Sequence, residues 1–167
     1  GDFRLEAGTE RVRSVRRKVR EMVEYDIPAT TAKEELRALP TRYLLSAPLQ
    51  TIADHLHLLV QLNDKDLVMQ VQHEQENGFS SFTICTFDTY GLFSKITGVM
   101  AANGINILGA QIFTGKNGKI LDILQVNSAQ GFLITDPARW QKVEADMAEV
   151  LHGTVQVSDL VHKRQRP

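Results

Sequence analysis

Three Asn-Gly dipeptides, at positions 77–78, 103–104 and 117–118, confine the second half of this chain to few arrangements. Asn and Gly reach positive φ at little cost, so each pair marks a reversal or a helix end. The first separates the alternating run Leu67, Met69, Val71 from the β-rich stretch 79–87, and predicts a hairpin with a type I′ turn. The third separates Ile105–Thr114, with Leu108, Ala110 and Ile112 on one face, from Ile120–Val126, and predicts a second hairpin. The second follows Leu92, Ile96, Val99 and Met100, spaced as one helical stripe, and reads as a C-cap. Asp136-Pro137 then starts a helix, an N-cap with Pro at the first helical position. Trp140, Val143, Met147 and Val150 form its stripe and Gly153 ends it. Val155 and Val157 alternate as a last strand.

From residue 79 the order is β-α-β-β-α-β, which is α+β and ferredoxin-like. Strand 67–73 extends the sheet at an edge. Two helices cover one face, and the other is half exposed or paired, which favours a dimer.

Residues 1–65 read differently. Val12, Val15, Val19 and Met22 recur at 3, 4 and 3, with Thr9 placed as an N-cap. Helices are also expected over Ala32–Leu39, stopped by Pro40, and from about Leu49 to Leu62, with Ile52, Leu56, Leu59 and Val60 on one side. This part offers no further layer, so its helices must pack on something outside it. Six basic residues fall within positions 11–20. They read as a solvated helix face or as a dock for an acidic surface.

Charge supports a division near residue 65. The first part holds 11 basic and 10 acidic groups, whereas 66–159 holds 5 and 10. The net charge of −1 argues against a general nucleic-acid binder, and Ile120–Val126 lacks the aromatics of an RNA-binding sheet. No apolar run approaches the roughly 18–20 residues of a membrane span. The first ten residues have no signal-peptide character. A lone Cys85 excludes an internal disulfide and reads as a buried, inert thiol. The expectation is a soluble, cytoplasmic protein.

Catalytic patterns are missing. There is no phosphate-binding loop, no dinucleotide fingerprint and no nucleophile elbow. His55 and His57 stand two apart, so on a helix they do not share a metal. What remains is a backbone site. The loop Asp88-Thr89-Tyr90-Gly91-Leu92 enters a helix whose first-turn N–H groups could hold a carboxylate, with Asn106 opening the next strand. The same residues also suit ordinary turn chemistry.

The run DTYGLFSKITGVMAANGINILGAQIFT, 88–114, continued by NGKILDILQV, 117–126, resembles an ACT domain, a ligand-sensing module of amino-acid metabolism. Within that superfamily it is most similar to the bacterial PII uridylyltransferase/uridylyl-removing enzymes. LPTRYLLS, 39–46, and IADHL, 52–56, resemble the connector ahead of their first ACT domain, and the likeness spans roughly 35–160. The resemblance implies a connector over 1–65, an ACT domain over 66–160, and a basic tail over 161–167 leading to a second ACT copy. It implies glutamine or a related amino acid as ligand, with Asp88, Thr89, Tyr90, Gly91, Leu92 and Asn106 as the site. It implies a homodimer or pairing with the second copy, and PII protein as a partner through the parent enzyme. No catalytic residue, metal or cofactor belongs to this segment, whereas the parent uses Mg and UTP. Two departures stand out: Thr89-Tyr90 where relatives carry Arg-Pro or Lys-Pro, and Gly109 where many carry Asp.

Overall fold

A computed structural model describes residues 2–165, with side chains from Glu6 to Val161. The side chains of Lys163 and Arg164, and Arg166 altogether, lie outside the described residues, so the expected basic tail does too. The chain forms two units: Gly1–Val68 with Cys85–Phe87 and Phe113–Leu121, and Met69–Ile84 with Asp88–Ile112 and Asp122–Pro167.

The first unit carries four helices: α1 (Asp2–Val23), α2 (Ala29–Ala38), α3 (Thr41–Ser46) and α4 (Leu49–Gln61). Pro28, Pro40 and Pro48 each stand immediately before a helix. A residue preceding proline is driven out of the α region. Leu39 and Ala47 accordingly end α2 and α3 in extended conformation, at ψ 142° and 144°. The short α3 between two prolines was not foreseen. Thr9 lies inside α1, so it is not the N-cap expected of it. The buried stripe is Val12, Val19 and Val23, while Met22 is 42% exposed. It joins Leu36, Tyr43, Leu44, Ile52, Leu56 and Leu59 in one core. The packing partner demanded from outside 1–65 is the 113–121 segment. Phe113 stacks on Tyr43 at 4.9 Å between centroids and lies under the Arg42 guanidinium at 4.4 Å. Lys119 is buried and pairs with buried Glu35, and it also donates to the Leu59 carbonyl and to Asn63 Oδ1, each at 3.0 Å.

Four strands, β1 (Leu67–Glu74), β2 (Phe79–Phe87), β3 (Ile105–Thr114) and β4 (Lys119–Ser128), form an antiparallel sheet in the order β1-β2-β4-β3. Both hairpins are present, but neither uses a type I′ turn. That turn needs positive φ at two residues, and only glycines have it among the described residues. Asn77 closes a 3₁₀ turn and Gly78 alone is left-handed, at φ 72°. In the second unit α5 (Leu92–Ala102) and α6 (Pro137–Leu151) bury the stripes expected of them, and Phe82 meets Trp140 at 5.4 Å between centroids. Asp136 caps α6 by accepting from the Ala138 N–H at 3.0 Å.

The expected last strand is a helix, α7 (Val157–Gln165). The sheet gives a reason. β2 is flanked by β1 and β4, so it has no open edge for a returning strand. The segment instead packs on α5, where a Cβ built on Gly98 would run into Val157 Cγ1.

Candidate functional site

The loop that follows β2, from Asp88, and helix α5 belong to the second unit. β2 ends at Phe87, and Asp88, Thr89 and Tyr90 follow as exposed loop, with Tyr90 98% exposed. Gly91 turns the chain at φ 70° and stands as N-cap of α5, with no side chain bonded to that end. Nothing lies within 4 Å of a Cβ built there, so backbone conformation and not crowding favours glycine. The Leu92 N–H donates to the Thr89 carbonyl at 3.3 Å. The Leu92 side chain is buried in the core, so this residue offers the site no side chain, and its N–H is already engaged within the loop.

One residue that was not placed in the site belongs beside it. Asp122 lies on β4 between Ile120 and Leu124, which share its face and are buried. Its side chain is 1% exposed, and neither carboxylate oxygen has a hydrogen-bond partner among the described residues. Burial, and then the nearby charge of Asp88, push its pKa up to about 7. A carboxylate in that position normally finds a donor. The signal was present in the sequence, as an acidic residue at a core-facing position of an otherwise apolar alternation.

On its outer side the junction borders a cleft of about 350 Å³. Tyr90, Gly91, Ser94 and Lys95 line one wall, and Gly153, Gln156 and Ser158 line the other. The helical course of α7 supplies Val157 and Ser158 to that second wall.

Asn106 is elsewhere. It opens β3 at the far end of α5, exposed, and donates to Asn127 Oδ1 at 3.3 Å. On β4, Asn127 stands five positions beyond Asp122, a strand length of about 16 Å. Within one copy the loop and Asn106 therefore do not meet. At Gly109, a Cβ would lie 2.9 Å from Gln125 Oε1, so the Gln125 side chain lies over the place where an Asp would start.

The histidines have structural partners. His55 is buried and shares a 2.6 Å hydrogen bond with the Tyr43 hydroxyl, and burial lowers its pKa to about 4. His57 Nδ1 donates to the Ala53 carbonyl at 2.8 Å, and Nε2 faces Asp26 at 3.3 Å. Cys85 is fully buried. No group of three His, Cys, Asp or Glu is arranged to hold a metal among the described residues. No helix there is long and apolar enough to cross a membrane.

These elements define an α+β module with a four-stranded antiparallel sheet, preceded by a helical region. Over 167 residues, 99% of its length, the chain is 30% identical to a bifunctional uridylyltransferase/uridylyl-removing enzyme of Rhodospirillum rubrum, of which it covers 18%. Over 106 residues, 63% of its length, it is 29% identical to the enzyme of the same name from Azospirillum brasilense, covering 11% of that protein. The chain is thus similar from end to end to one segment of such an enzyme, and spans less than a fifth of these curated relatives. No protein-family model matches it.

Proposed function

We propose that this chain is the regulatory segment of a bifunctional uridylyltransferase/uridylyl-removing enzyme. In this reading 66–160 is an ACT module that binds glutamine, and 1–65 is the connector that passes the signal to the parent's activities on PII protein. The segment itself is not catalytic, and the parent's domains handle Mg and UTP in the cytoplasm.

The observation that carries the reading is the β2–α5 junction, where an N-terminus with no side-chain cap adjoins a buried carboxylate that has no hydrogen-bond partner among the described residues. A free amino acid is complementary to that pair. Its α-carboxylate suits the first-turn N–H groups, and its ammonium suits Asp88 and Asp122. Asn106 would join from a second copy paired along β3, whose outer edge is open.

A second reading is a docking or dimerising module that binds no metabolite. It draws on the same β3 strand, where Leu108 is 52% and Ile112 38% exposed. Calorimetry with glutamine and glutamate separates the two. The sensing reading predicts glutamine binding in the millimolar range, because Thr89-Tyr90 leaves the loop without a pre-ordering proline. No heat of binding up to ~10 mM, a few-fold above that range, would leave the docking reading in its place.

A further inference from the structure

The strongest charge feature lies in the first unit, away from the β2–α5 junction, and does not depend on the proposal above. Arg13, Arg16, Arg17 and Arg20 of α1 and Lys33 and Arg37 of α2 surround a cleft of about 480 Å³. On α1 the spacing 13, 16/17, 20 places these arginines along one stripe, and 33 and 37 are one turn apart on α2. Against six cations stands one lining carboxylate, Glu10, which pairs with Arg13 at 3.3 Å where both side chains are largely exposed.

Such a grouping is unfavourable by itself. Like charges in a concave site raise the local potential, and the field is focused by the walls. Arg16 shows the consequence: burial, and then Arg37 and Arg20, lower its pKa. Its Nε is buried with no hydrogen-bond partner among the described residues. A solvated helix face would spread its cations outward, whereas here two helices bring them around one volume. Arginine forks match phosphate oxygens in pairs, and several adjacent phosphates would be needed to balance this many charges.

We propose that the α1–α2 cleft is a binding site for a ligand bearing contiguous phosphate groups. The oligophosphate moiety seats between Arg16 and Arg37, with Arg20 and Lys33 at its flanks. The chemistry is shared by a free inorganic oligophosphate and by a nucleoside triphosphate, and the cleft has volume for either.

The test is titration of the chain with inorganic triphosphate and with ATP, in parallel, by calorimetry. Binding of either with Kd below ~1 mM at ~50 mM salt, weakening at least tenfold by ~300 mM as screening shortens, is the expected result. Saturation by triphosphate alone would mark the free anion, and a tighter ATP arm would mark a nucleotide. Arg16→Gln and Arg37→Gln should each weaken binding about tenfold or more, the loss of one charge-assisted pair. Arg37→Lys should weaken it less than Arg37→Gln. Since Arg37 is exposed, its variants keep the test valid if Arg16→Gln unfolds. No binding of either ligand at low salt, or Arg37→Gln binding as wild type does, would overturn the proposal. Equal binding of a hexaglutamate peptide would also overturn it, in favour of an acidic protein surface.

Discussion

Two buried titrating groups pull the stability of this chain in opposite directions. Asp122 has its pKa raised from 3.8 to about 7, so the unfolded chain releases a proton that the folded one keeps. Its contribution is complete below about pH 4 and is lost as pH rises towards 7, roughly 4 kcal/mol at 1.36 kcal/mol per unit. His55 has its pKa lowered from 6.5 to about 4, so its contribution is complete above the unfolded value and is lost as pH falls, roughly 3 kcal/mol. Between about pH 4 and 6.5 the slopes of these two groups oppose and largely cancel. Asp122→Asn should expose the histidine slope, with the urea midpoint rising steadily with pH. Parallel profiles for variant and wild type would contradict the placement of Asp122. At Gly91 the cost is conformational. Gly91→Ala should destabilise by about 1–2 kcal/mol through the left-handed backbone alone, readable in the same denaturation. Asp122 was legible as an acidic residue at an inward position, but the approach of Asp88 and the want of a hydrogen-bond partner among the described residues depend on tertiary packing.

Elements between clear signals were easily read, and elements set by competition were not. α5, α6 and both hairpins follow from stripes, caps and Asn-Gly pairs. Val155 and Val157 are only two alternating residues, and a strand there has no edge of β2 to join. Gly98, unremarkable in the sequence, is where α7 meets α5. Gly98→Ala should cost about 1–3 kcal/mol by overpacking against Val157 and should disturb the cleft wall at Gln156 and Ser158. A thermal melt equal to wild type would contradict the α5–α7 contact. The ion pair of Glu35 and Lys119 was invisible because 84 positions separate its partners. Lys119→Met leaves the Glu35 carboxylate buried without its cation, and should cost about 3–5 kcal/mol. The double variant Glu35→Leu/Lys119→Met should recover part of that loss, and an equally unstable double variant would show that the pair acts in some other way.

At the scale of the whole molecule, fold class was legible because strand period, helix stripe and turn chemistry all pointed to one order of elements. The site was legible only in part. The loop at 88–91 lies where the helix start placed it, but Asn106 opens the next strand at the other end of α5. A crossover helix carries the chain back along the sheet, so loop and strand start are separated by the helix length, about 16 Å. In the sensing reading a second copy would join them, and the exposed Leu108 and Ile112 on edge strand β3 suit that pairing. Light scattering should report a dimer at ~100 µM, well above a micromolar dissociation constant. Leu108→Glu should shift the mass to monomer, and a strictly monomeric wild type would remove the second-copy role of Asn106.

Whether the β2–α5 junction receives a free amino acid can be read residue by residue from amide chemical shifts recorded during a glutamine titration. Saturable changes are expected at Asp88–Ser94 and on β4 around Asp122, and they should be lost in Asp122→Asn. Unchanged spectra up to ~10 mM, beyond a millimolar dissociation constant, or saturable changes confined to residues away from that junction, would contradict binding there.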